Sequence, residues 1–100
     1  MRHMSKASDK VNSRELYRAI LSLQSEEECR RFFKDLCTIS ELRAMEQRYD
    51  VAVLLDQGMV YSDILEATGA SSATISRVNR ALNYGENGYK DILSRMKEQK

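Results

Sequence analysis

The five residues Val51 to Leu55, "VAVLL", sit inside a stretch with the marks of one long helix, from Thr38 to Gly58. Upstream of them Leu42, Met45 and Tyr49 define a single apolar face at three- and four-residue spacing. Val51 to Leu55 then makes the cylinder apolar all round, and such a helix has to be enclosed on all sides. The chain has 100 residues, the length of one domain, so a single copy offers little material for the enclosure. A second copy supplying the missing walls is the expectation. The alternative is a compact monomer in which the last helices wrap this one.

Elsewhere apolar residues also recur at helical spacing, and no stretch alternates with the two-residue period of a strand. The fold class is therefore all-α. "NSRELYRAILSL" opens on a cap candidate, Asn12, with Glu15 three residues on and Leu16, Ile20 and Leu23 along one stripe. "SEEECRRFFKDLC" repeats the device with Ser25 and Glu28, and its apolar face is Cys29, Phe32, Phe33 and Leu36. Thr38 and Glu41 make a third box, and Gly58 is the stop of that helix. The acids of "EEECRR" suit a helix N-terminus, whose dipole they complement. "NYGENGY" reads as the loop before a terminal helix, with Tyr84 and Tyr89 as core or interface residues.

Charged residues make up 31% of the chain and apolar ones 42%, the range of a soluble globular protein. The apolar run at Val51 is far short of the roughly 18 residues a membrane span needs. No leader peptide is visible, and a cytoplasmic location is expected. "MRHM" resembles an expression remnant, residues 1–3, ahead of a native start at Met4, which sets aside His3, the only histidine. Residues 1–10 read as a disordered arm and 11–100 as a single helical domain. Cys29 and Cys37 lie eight residues apart on one helix, roughly 12 Å along its axis, too far for a disulfide. Without a second cysteine pair or a usable histidine there is no zinc ligand set, and both thiols are expected to be small buried hydrophobes. No cofactor or metal is expected. No nucleophile, base and orienting group can be assembled, so an enzyme is not expected either.

The segment from residue 61 to 82 carries the functional signal. "YSDILEAT" gives barely two turns of helix, a length that needs tertiary support. Gly69 supplies the left-handed conformation that ends it, and Ser71 or Ser72 caps the next helix. There Ile75, Val78 and Leu82 fall on one face and must turn inward, against Ile64 and Leu65. Ser72, Ala73, Ser76, Arg77 and Arg80 are left outside. Two short helices joined by a glycine-led turn, the second displaying small residues, hydroxyls and arginines, form a helix-turn-helix arrangement. Small side chains admit a helix to the major groove, hydroxyls bond phosphates or base edges, and arginine reaches guanine with two hydrogen bonds. Ser71, Ser72, Ala73, Thr74, Ser76, Arg77 and Arg80 are the expected contacts to double-stranded DNA. Charge gives less support: Asp63 and Glu66 offset Arg77 and Arg80, and the whole chain is only +1. Lys6 and Lys10 are further basic candidates in the arm.

"TGASSATISRVNRAL", together with the capped "TISELRAMEQR" upstream, resembles the Trp repressor superfamily, most closely its YerC/YecD branch. The resemblance covers Asn12 to about Met96. It implies a six-helix protomer, an intertwined homodimer, a DNA-reading helix pair and a terminal helix, "YKDILSRM", that completes the interface. It also implies a place for an effector. The Trp repressor clamps its corepressor between two arginines, whose places Arg48 and Arg77 occupy by motif, while Thr38 matches a cap residue whose backbone meets the ligand. Val78 departs from the tryptophan-binding pattern, which has glycine directly after the second arginine. The expected function is a dimeric repressor of a palindromic operator that does not respond to tryptophan, with any other effector left open. The alternative is a helical dimer acting through protein partners with little DNA affinity.

Overall fold

The computed structural model describes residues 14–99, and all regular structure among them is helical. The six helices are α1 (Arg14–Leu21), α2 (Glu26–Leu36), α3 (Ile39–Asp56), α4 (Tyr61–Thr68), α5 (Ser72–Tyr84) and α6 (Gly88–Glu98). They fall into two compact units, the first ending at Thr38 and the second beginning at Ile39. The expected arm over residues 1–10 and the Asn12 cap lie outside the described residues. No described helix is long and apolar enough to cross a membrane.

In the first unit, α2 starts as its sequence dictates. Ser25 is extended, at φ −153°, and its Oγ accepts from the Glu28 N–H at 3.0 Å. The Glu28 carboxylate reaches back one residue further than the usual reciprocal box, accepting from the Gln24 N–H at 2.8 Å. Three acids in the first turn face the helix dipole favourably, and two of them pair one turn on, Glu26 with Arg30 at 2.7 Å and Glu27 with Arg31 at 3.9 Å. Exposed pairs of this kind contribute about 0.3–0.5 kcal/mol each. Phe32 and Phe33 meet edge to face, with centroids 5.4 Å apart. Yet neither α1 nor α2 has a buried residue: Leu36 is half exposed, and Leu21 and Tyr17 are more so. Cys29 and Cys37 are free thiols and only half-buried, against the expectation of full burial, because this unit has too little mass to enclose its apolar stripe.

The second unit is built around α3, which packs against α4, α5 and α6. Its closed core consists of Val51 and Ala52 from α3, Ile64 from α4, Ala70 from the turn, Ile75, Val78 and Leu82 from α5, and Leu93 from α6. Val53, Leu54 and Leu55 continue the apolar belt but remain half-buried within the chain. α3 stops at Gly58, whose φ of 87° lets the N–H of Met59 close on the Leu54 carbonyl at 3.0 Å and the N–H of Gly58 on that of Leu55 at 3.0 Å. These paired bonds are the Schellman closure expected of a glycine stop. At the same end Lys97 of α6 pairs with Asp56 at 2.8 Å. Only Ile64 of α4 is enclosed; Leu65, expected beside it, is 46% exposed because successive helical residues point about 100° apart. The loop before α6 is shorter than "NYGENGY" suggested, for Tyr84 ends α5 and Gly88 begins α6. Tyr89 packs against the core, whereas Tyr84 does not.

Candidate nucleic-acid interface

The bend between α4 and α5 is held by backbone and hydroxyl bonds rather than by apolar bulk. Gly69 adopts φ 74° and its N–H closes on the Leu65 carbonyl at 2.8 Å, ending α4 in the left-handed conformation. Thr68 works in both directions: its hydroxyl donates to the Ile64 carbonyl at 2.7 Å and accepts from the Ala70 N–H at 3.1 Å. Its own carbonyl, freed at the helix end, accepts from the Gln47 side-chain amide of α3 at 3.2 Å. Ala70 then turns its methyl into the core, where it is 1% exposed. Ser71 caps α5, accepting from the Thr74 N–H at 3.1 Å while donating to the Thr74 hydroxyl at 3.1 Å. Gln47, Thr68 and Ala70 were not singled out in the sequence. Threonine directly before the turn glycine was the available signal, since its hydroxyl can bond the carbonyl four residues back.

With the turn fixed, α5 has one possible outer face. Ile75 and Val78 are fully enclosed and Leu82 nearly so, as their spacing required. Ser72, Ala73, Ser76, Arg77 and Arg80 are all exposed. Thr74 is half-buried, its hydroxyl held by Ser71. Neither Arg77 nor Arg80 has an ion-pair partner among the described residues. Further along, the Asn83 amide donates to both the carbonyl and the side-chain oxygen of Asn79, each at 2.9 Å, which ties those two residues together along the helix. The surface therefore offers small residues and a free hydroxyl toward the start of α5, followed by two guanidiniums without internal acceptors.

The residues of the possible effector place are distributed less simply. Thr38 belongs to the first unit, and Arg48, Arg77 and Val78 to the second. Arg48 is half-buried and makes no ion pair among the described residues, with Glu41 and Glu46 included. Val78 is 1% exposed and is one of the largest fully buried side chains, so its methyls occupy core space. An open groove of about 600 Å³ does exist in this unit, lined by Tyr49, Ala81, Gly85, Glu86, Gly88, Tyr89 and Ile92, and it contains neither arginine nor Val78.

The chain is similar in sequence and fold to known proteins. The family model described as Trp repressor protein matches residues 12–97. The uncharacterized protein YerC of Bacillus subtilis (strain 168) is 52% identical over 93 residues, which are 90% of this chain and 89% of that one. A crystal structure of a TrpR-like protein from Eubacterium eligens superposes with a TM-score of 0.81 at 51% identity, over 83% of this chain and 86% of that one. A Trp repressor candidate from Staphylococcus aureus gives a TM-score of 0.83 at 43% identity, over 94% and 96% of the two chains.

The turn itself can be tested without DNA. Nothing lies within 4 Å of a Cβ placed on Gly69, so a substitution there meets only the left-handed backbone. Gly69→Ala is expected to lower unfolding stability by about 1–2 kcal/mol, and Gly69→Asn by less, because asparagine tolerates that conformation. Urea denaturation of the two variants checks the order.

Proposed function

Because the chain belongs to the Trp repressor family of helix-turn-helix DNA-binding regulators, we propose that it is a dimeric cytoplasmic repressor that occupies a palindromic operator and ignores tryptophan. The observation that carries this is the outer face of α5, where Arg77 and Arg80 stand exposed without internal partners. Ala73 and Ser76 allow that helix to approach the bases closely. Arg77 and Arg80 reach guanine edges or phosphates beyond them, and Ser72 supplies a hydroxyl at the groove wall. Ser71 and Thr74 hold the first turn of α5, where helix N–H groups point outward and favour a phosphate.

Dimerisation is supported by what one chain leaves uncovered. Among its described residues the first unit buries none completely, and Val53, Leu54 and Leu55 are half-exposed on α3. Both surfaces are apolar, and a second copy is the partner proposed to cover them. Insensitivity to tryptophan rests on Val78, whose branched side chain fills core volume at the position where the tryptophan-binding pattern carries hydrogen alone. A second reading, a helical dimer that binds protein partners and little DNA, is favoured by charge. Across residues 61–82 the two acids Asp63 and Glu66 balance the two arginines Arg77 and Arg80, for a net charge of zero.

Selection of bound fragments from random duplex DNA discriminates the two. The repressor reading expects a site with two-fold symmetry, its half-sites centred about 34 Å apart or a multiple of that. Arg77→Ala is expected to cost about 1–3 kcal/mol on that site and to relax its sequence preference, whereas Arg80→Ala at a phosphate weakens all sequences alike. Failure to enrich any duplex at low salt would favour the protein-partner reading.

Sedimentation equilibrium at micromolar concentration is expected to return twice the chain mass; a folded species of single mass would remove the dimer. Calorimetric titration with tryptophan is expected to show no specific heat at millimolar ligand, because overpacking of the kind Val78 would impose costs about 1–3 kcal/mol. Binding at micromolar affinity would show that Val78 does not close the site.

A further inference from the structure

Tyr84 ends α5 with its side chain 86% exposed, more than any other large hydrophobic residue described. It contributes nothing to the core, unlike Tyr89 five residues on, which packs against it. Its place on the helix is informative. Eleven residues after Ala73, it returns to within about 20° of the same line, so Ala73, Arg77, Arg80 and Tyr84 form one outward row. All four are exposed.

Two local features fix the stretch of backbone that carries the ring at the tip of that row. The neighbouring Asn83 amide is committed to Asn79, which stiffens the last turn. Directly after Tyr84 the chain leaves the helix through Gly85, whose N–H closes on the Ala81 carbonyl at 3.0 Å. A Cβ on Gly85 would overlap that same carbonyl oxygen, so the tight exit depends on glycine. Tyr84 is thus carried on a closed helical turn.

Distance then decides what it meets. From Ala73 to Tyr84 is about 16 Å along the axis, whereas the major groove is about 12 Å wide. If the small residues at the start of α5 lie against the bases, the far end of the helix has left the groove floor and stands at the rim, among phosphates. A phenol suits that position, since it donates a hydrogen bond to a phosphate oxygen and lays its ring on the adjoining sugar.

We propose that Tyr84 is a backbone-anchoring residue, its hydroxyl bonded to a DNA phosphate at the groove edge, which sets how far α5 can slide along the groove. The assignment rests on DNA binding by α5. Because the phenol is neutral, it adds affinity without neutralising a phosphate, and its signature differs from that of an arginine.

Binding of the full chain to its selected site and to an unrelated duplex, measured by fluorescence anisotropy over a salt series, tests the assignment. Tyr84→Phe is expected to weaken binding to both duplexes by about tenfold per reading helix, with the slope of log affinity against log salt unchanged. Arg80→Ala, measured alongside, is expected to flatten that slope by about one. Equal thermal midpoints for Tyr84→Phe and wild type would exclude a folding effect. If Tyr84→Phe binds both duplexes as tightly as wild type, the anchoring role falls and DNA binding by α5 stands. If its loss is confined to the selected site, Tyr84 touches a base and the phosphate assignment is overturned. If the wild type itself binds neither duplex at low salt, DNA binding by α5 and the anchoring role fall together.

Discussion

The closed apolar cluster of Val51, Ala52, Ile64, Ala70, Ile75 and Val78 is the constraint on which the rest of the second unit depends. Each of these side chains is at most 1% exposed, and they come from α3, α4, the turn and α5. α4 has only 8 residues, too few to persist as an isolated helix, and exists because Ile64 is held in this cluster. The same packing orients α5. Once Ile75 and Val78 are enclosed, helical geometry leaves Ala73, Arg77 and Arg80 no direction but outward. The outer chemistry of α5 is thus a consequence of its inner chemistry.

Polar bonds refine what the cluster sets up. A helix end presents carbonyls without partners, and here the Thr68 carbonyl is met by Gln47 from α3 while Gly69 closes back on Leu65. Ser71 starts the next helix within two residues. Because the bond from Gln47 comes from the central helix, the bend is referenced to the core and not merely to its own strand of chain. For the DNA-facing surface proposed on α5, such bracing reduces the conformational freedom lost on binding.

The first unit presents the opposite case. Its caps and ion pairs are well formed, yet its apolar stripe is covered only in part, and neither of its helices has a buried residue. Exposed pairs at helical spacing contribute tenths of a kcal/mol, too little to offset the exposed Leu16, Tyr17, Leu21 and Leu36 side chains. The half-buried Val53 to Leu55 belt shows the same deficit from the other unit. Partly uncovered apolar surfaces on a short chain are the physical reason a second copy is proposed.

Much of this was legible in the chain itself. The helical period, the Ser25 and Ser71 caps, the glycine stops at Gly58 and Gly69, and the inward set Ile75, Val78 and Leu82 are local properties, decided by side-chain spacing and backbone preference within a few residues. The outward arginines followed from the inward set by geometry alone. What only the tertiary structure decided were relations between segments distant in sequence: that Gln47 braces the turn twenty-one residues away, and that Leu65 lies outside the core while Tyr84 stands clear of it. Periodicity reports which face of a helix is apolar, but not how much of that face a neighbour covers. Coverage depends on where the other helices come to rest, and that is a property of the packed chain.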